Sequence, residues 1–247
     1  MKRKLFPLKT LLFMGFMMFF SCQQEEIASP SSTEDEINAY GEFQNKVKDN
    51  ANPDIIITVT DCNLNGWVKQ PVGNSSLGFV NGPDTPPFGK GSLKFNVPPG
   101  INFPGDFVRF RNGQYSGTNL SSLTELSYDT YVESREAPLD IHFMVLLSDI
   151  NGDGTAEHNL VFDPRYQNSN FIKGTMPDQG LSKIHEWQRW DALFGGWFYG
   201  GDETTDPDHG GAFFTLAEYV TQYPNAVIRN DASKGGPAIR LTAGGVV

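Results

Sequence analysis

Apolar residues recur along this chain in short runs, each closed off by a cluster of Gly, Pro, Asn or Asp. The first is the β-branched stretch Ile55 to Thr60, and others follow at 66–70, 77–80, 93–97, 107–111, 126–132, 139–147, 158–162, 188–193, 226–229 and 238–242. Runs of four to nine residues with turn chemistry between them predict strands, and so many of them predict an all-β antiparallel sandwich of jelly-roll type. The apolar pair Leu139 to Leu147 and His158 to Phe162 is the hairpin around which the rest is expected to pack. In Phe107-Val108-Arg109-Phe110-Arg111 the alternation sets two arginines on one face, which predicts a half-exposed strand. One late segment has the helical period instead. Thr215 and Glu218 form a capping box, Leu216, Tyr219 and Val220 share a face, and Pro224 ends the run. A short helix is expected there, covering one end of the sandwich.

Before Asp54 the pattern changes. Lys2-Arg3-Lys4, the apolar run Leu11 to Phe20 and then Ser21-Cys22 reproduce the three regions of a secretory signal. The run is shorter than the roughly 20 residues a membrane-spanning helix needs. A cysteine after a small residue, followed by Gln23-Gln24-Glu25-Glu26, resembles the lipobox of bacterial lipoproteins. That resemblance implies a diacylglyceryl thioether on Cys22, further acylation such as palmitate, and anchoring in a lipid bilayer, with the acidic residues pointing to the outer membrane and its outer surface. The alternative is an ordinary cleaved signal with an incidental cysteine. Residues 22–53, rich in Gln, Glu, Ser and Asn, bury too little apolar surface to offset ordering and are expected to form a flexible tether. The expected organisation is therefore a signal over 1–21, a tether over 22–53 and one sandwich domain over 54–247. Cys62, beside the first strand, is expected to be a buried, inert thiol.

Charge narrows the partners. With 19 Lys and Arg against 29 Asp and Glu the net charge is −10, and losing the four basic residues of the leader leaves 15 against 29, or −14. Such a surface disfavours nucleic acid, whose affinity comes from clustered cations. Catalytic signatures are scarce. The four histidines show no metal-ligand spacing, and there is no nucleophile elbow or phosphate loop. Carboxylates such as Glu125, Glu133, Asp140, Glu157 and Asp163 supply the residue type for a glycosidase pair, but the sequence does not set two of them at the required separation.

Two stretches carry candidate chemistry. Asp149, Asn151 and Asp153, followed by Gly154, place three oxygen-bearing side chains at alternate positions, as an oxygen-rich calcium loop does. Leu160 stands where an EF-hand needs its bidentate Glu, which excludes an EF-hand and leaves a hairpin calcium site completed by Glu157 or Asp163 as one reading. The competing reading is a plain turn built on Asn151-Gly152 and Asp153-Gly154. The other stretch is the aromatic run Trp187 to Tyr199. Exposed rings on a sandwich suit pyranose faces, which stack on them while neighbouring polar groups bond the hydroxyls. Trp190, Trp197 and Tyr199 are the candidate ligand-binding residues, with Trp197 favoured because glycine pairs flank its segment. Burial of the same rings in the core is the alternative.

The segments Val80 to Ser92, Leu123 to Tyr131, Asp149 to Asp163, Trp187 to Trp197 and Gly236 to Gly245 together resemble a family of secreted bacterial jelly-roll domains of unknown function, similar to concanavalin-like and carbohydrate-binding modules. The resemblance implies a fold and no activity. It also implies a strand after Gly245, so the domain is read as one that can lack its last strand. Together these readings lead to an expected surface-anchored lipoprotein with a non-catalytic glycan-binding module. The alternatives are a structural or adhesive surface protein without a small ligand and, third, a glycoside hydrolase.

Overall fold

A computed structural model describes residues 43–47, 55–98, 105–135, 142–172, 174–201, 207 and 211–244. The expected signal, Cys22 and most of the tether lie outside the described residues, as do Asp140 and the first residues of the expected strand from Leu139.

Among the described residues all strand pairs are antiparallel, and β-sheets pack together as a sandwich with one helix. The strands are β1 Phe43–Val47, β2 Ile55–Val59, β3 Trp67–Val72, β4 Ser76–Asn81, β5 Gly91–Asn96, β6 Phe107–Asn112, β7 Ser127–Tyr131, β8 Phe143–Asp149, β9 His158–Phe162, β10 Trp187–Asp191, β11 Phe198–Tyr199, β12 Val227–Ile228 and β13 Ile239–Gly244. The helix α1 spans Leu216–Gln222. One seven-stranded sheet runs β11-β9-β8-β13-β6-β3, with β12 paired to the end of β8; β4-β5, β7-β10 and β1-β2 are separate ribbons.

The hairpin β8–β9 is the centre of the large sheet, as its sequence predicts. Every residue of β8 is buried. Leu146, Leu147, Leu160, Val161 and Phe162 are fully buried with Trp190 of β10, and Tyr128 of β7 meets Phe162 edge to face at 6.0 Å. Fully burying one such side chain stabilises by about 1.5–3 kcal/mol, so this contact fixes the β7-β10 ribbon over the sheet. A second cluster joins Trp67 and Phe110 of the sheet to Leu77, Phe79, Leu93 and Phe95 of the β4-β5 ribbon. Trp67 stacks on Phe110 at 4.6 Å. In β6, Val108, Phe110 and Asn112 are buried while Phe107, Arg109 and Arg111 are half-buried, which is the expected alternation.

The capping box at Thr215 and Glu218 forms in both directions: Glu218 N donates to Thr215 Oγ1 and Thr215 N to Glu218 Oε2. Leu216 and Tyr219 are buried, and the helix stops before Pro224.

Two expectations about the front of the domain are corrected. Part of the expected tether, Phe43–Val47, is a strand, paired residue for residue with Ile55–Val59. The preceding chain supplies the partner for the backbone groups that a lone β2 edge would leave unpaired. Cys62 is exposed rather than buried. Its position in the turn after β2 leaves no apolar wall to cover it.

Candidate functional site

The β7-β10 ribbon has two faces, and they divide the expected aromatic site. Its register pairs Trp190 with Tyr128, Gln188 with Thr130, Arg189 with Asp129 and Asp191 with Ser127. Since paired residues share a face, Trp190 and Tyr128 turn inward while Arg189, Asp129, Asp191 and Ser127 turn outward. Trp190 is 0% exposed and its indole Nε1 donates to Thr130 Oγ1 at 2.8 Å.

Trp197 is also 0% exposed, donating from Nε1 to Ala192 O at 2.7 Å and lying 5.6 Å from the Phe162 ring. Both indoles are therefore core residues with their polar atoms satisfied, and neither is a ligand platform. The glycine pair before Trp197 is there for packing. A Cβ at Gly195 would collide with the Phe162 ring and Gln167 Oε1.

Tyr199 is half-buried in another aromatic group, 4.6 Å from His158 and 4.8 Å from Phe214. Burial first, and then the neighbouring Tyr223, push its phenol up to about 12. Its neighbour Phe214 is bridged to Trp197 by backbone hydrogen bonds in both directions, so Tyr199 packs on the flank of the same core.

The ring that is exposed is one the sequence did not single out. Asp191 Oδ1 accepts from Leu193 N at 3.1 Å and Phe194 N at 3.2 Å. Ala192 N and Leu193 N both donate to Leu126 O, and Gly195 N returns to Asp191 O. This tight turn leaves Phe194 at its tip, 61% exposed. Beside it opens a cleft of about 390 Å³ lined by Thr124, Glu125, Ser127, Arg189, Asp191 and Phe194, with Leu126 and Leu193.

Arg189 organises the polar side. It donates to Glu125 Oε1 and Ser127 Oγ, each at 2.6 Å, and lies 3.5 Å from Asp129 Oδ2. Burial raises the Asp129 carboxyl pKa, against the opposing pull of Arg189. An exposed flat ring beside fixed guanidinium, carboxylate and hydroxyl groups can stack on a sugar and bond its hydroxyls. The Asp191-x-Leu193 turn before Gly195-Gly196 is the signal that would have pointed to Phe194.

The acidic loop closes on itself. Carboxylate oxygens of Asp149, Asp153 and Glu157 lie within 4.8 Å of one another. Asp149, fully buried, accepts at Oδ1 from Asn151 N and Gly152 N and at Oδ2 from Gly154 N and Arg229 Nε, the last two at 2.9 Å. Burial pushes this carboxyl up, but the Gly154 and Gly152 amides and the Arg229 guanidinium outweigh it and hold the pKa below the usual range. All four acceptor directions of Asp149 are thus in use.

Asn151 Oδ1 accepts from Asp153 N and its Nδ2 donates to Glu157 Oε1, while Asp153 Oδ1 accepts from Thr155 N. Of the expected ligands Asp149, Asn151 and Asp153, the loop brings the two aspartates together with Glu157. Asn151 serves as a hydrogen-bonding brace, and Arg229 is ion-paired with Asp149. Asp163 is spent elsewhere, accepting from Arg165 N at 2.8 Å.

No protein-family model, curated protein or solved structure matches the chain. Among the described residues no helix is long and apolar enough to cross a membrane.

Proposed function

We propose that this chain is a lipid-anchored outer-membrane lipoprotein, displayed at the cell surface, whose β-sandwich is a non-catalytic glycan-binding module. The observation that supports it is the exposed Phe194 ring above a cleft whose polar groups, Arg189, Glu125, Ser127 and Asp191, are held in place by the β7-β10 ribbon. The ring offers a sugar its apolar face, and the surrounding donors and acceptors set its orientation. The non-catalytic reading draws on the state of the carboxylates. Glu125 is held by Arg189, and Asp191 is committed to its own turn, so neither is poised as a free acid or base.

Retention of the full chain on a glycan array tests the reading. Wild-type protein is expected to be retained on at least one polysaccharide and Phe194→Ala to lose that retention without a change in melting temperature. Hydrolysis of the retained glycan by pure protein would replace this reading with the glycosidase one. The anchor has its own test. Mass spectrometry of membrane-extracted protein is expected to find Cys22 acylated at the mature N-terminus; Cys22 cross-linked to Cys62 would overturn it, because one sulfur cannot carry both a thioether and a disulfide.

A second reading, calcium at Asp149, Asp153 and Glu157, draws on the convergence of those carboxylates. It requires the Arg229 guanidinium to leave Asp149.

A further inference from the structure

The alternation of β6 and β13 gives the large sheet a polar patch on the face opposite the one covered by the ribbons, beside buried Phe143 and Val145 of β8. Phe110 and Leu241 pair with each other and point toward the β4-β5 ribbon. Their neighbours therefore point away. In register across the sheet, Arg109 faces Gln70 on β3 and Thr242 on β13, and Arg111 faces Val68 and Arg240. Three guanidinium groups thus stand at adjacent positions on one face of a chain with a net charge of −10. Among the described residues no ion pair joins any of them to a carboxylate. The acid near Arg240, Asp231, is already accepting from Ala156 N, Ser233 N and Ser233 Oγ.

The turn Asp231 to Gly236 accounts for part of this cluster. Arg111 Nη1 donates to Gly235 O at 2.7 Å, and Arg240 donates to Lys234 O and Pro237 O. Those bonds hold the turn and orient both side chains. They leave donors over. Arg111 Nε is buried without a hydrogen-bond partner, and so is the Thr242 hydroxyl on a residue only 2% exposed; Gln70 Oε1 is unpartnered as well. Arg109 makes no hydrogen bond among the described residues and only covers the Phe107 ring, at 4.4 Å. Burial and the charges of Arg109 and Arg111 bring Arg240 down to about 10, and burial with the charge of Arg111 lowers Arg109. A protein that leaves buried donors unmade beside like charges that one acid only partly offsets forgoes stability there.

We propose that Arg109, the Nε of Arg111 and the Thr242 hydroxyl form a binding site for a phosphate or sulfate group. A tetrahedral oxyanion over Thr242 would accept from each unused donor, and its negative charge would relieve the repulsion among the three arginines. Turning the Gln70 amide over adds its Nε2 as a fourth donor. The group can be an ester on a sugar or a lipid headgroup.

The experiment is a melting curve of the full chain with rising inorganic phosphate, against sodium chloride at matched ionic strength. A saturable rise with phosphate is expected, with a midpoint weakened about tenfold or more in Arg109→Gln and in Thr242→Val. Arg109→Gln is expected to melt no lower than wild type without phosphate. Equal rises with phosphate and chloride would show simple screening and overturn the site, as would variants that respond like wild type. Capture by dextran sulfate beads but not by phosphatidic acid vesicles would assign the ester to a sugar, the converse to a lipid. Capture by neither would contradict the proposal.

Discussion

Trp190 and Phe194 stand four residues apart in one aromatic run and have opposite fates. Trp190 is on a strand whose partner, Tyr128, turns it into the sandwich, and its nitrogen is satisfied by Thr130. Phe194 is on a turn pinned by Asp191, where no inward direction exists. Residue type alone would rank the tryptophan as the better sugar platform. Strand register and turn geometry reverse that ranking, because an aromatic ring can recognise a ligand only where the backbone denies it a place in the core.

The largest effect expected from this contrast is on stability. Trp190→Ala or Trp197→Ala is expected to lose about 3–5 kcal/mol in denaturant unfolding, by lost burial and the cavity left behind. A loss under about 1 kcal/mol would place those rings at the surface and undo the comparison.

Acid tests the packing between the β4-β5 ribbon and the residue just before β8. His142 lies 4.6 Å from the Phe95 ring, its Nδ1 has no partner, and burial holds its pKa down to about 4 from 6.5. The unfolded imidazole therefore takes a proton near 6.5 and the folded one only near 4. Between those values the unfolded chain holds the extra proton, so stability is expected to fall as pH falls, by at most about 3 kcal/mol. Equilibrium unfolding between pH 7 and 4 measures it. His142→Phe is expected to flatten the dependence, and an unchanged slope would show that His142 is not its source.

Arg229→Gln bears on the acidic loop. Removing the guanidinium leaves Asp149 buried with its amide bonds alone, which is expected to cost about 1–3 kcal/mol. It also frees the Asp149 oxygen that Arg229 holds. Calcium is expected to restore part of the lost melting temperature in this variant, with EDTA reversing it. No response to calcium in Arg229→Gln would leave the loop as a turn only.

The smallest stability effect is expected at Phe194, within about 0.5 kcal/mol for Phe194→Ala, since the ring is 61% exposed. Its effect on glycan retention is expected to be much larger.

Much of the fold was legible in the sequence because it rests on local signals. His158–Phe162 forms a strand with the expected bounds, and the Thr215 and Glu218 box caps the helix before Pro224. The strand Phe43–Val47 was missed because its polar, Asn- and Lys-containing sequence gains its structure from pairing with β2. Phe198–Tyr199 was missed because a two-residue strand has too little pattern to read.

The site was less legible. The alternating acids of 149–153 spell a metal loop, but Arg229, 80 residues away in sequence, is bonded to the first of them. The cleft depends on Glu125 meeting Arg189, 64 residues apart. Such pairings follow from how distant segments pack together, which no local pattern carries.

The most direct test of the central claim is retention of the intact chain on a polysaccharide array, wild type beside Phe194→Ala. Wild type is expected to be held by at least one polysaccharide, and the variant, folded and melting at the same temperature, is not. Wild-type protein held by none, or both proteins held equally, would contradict it.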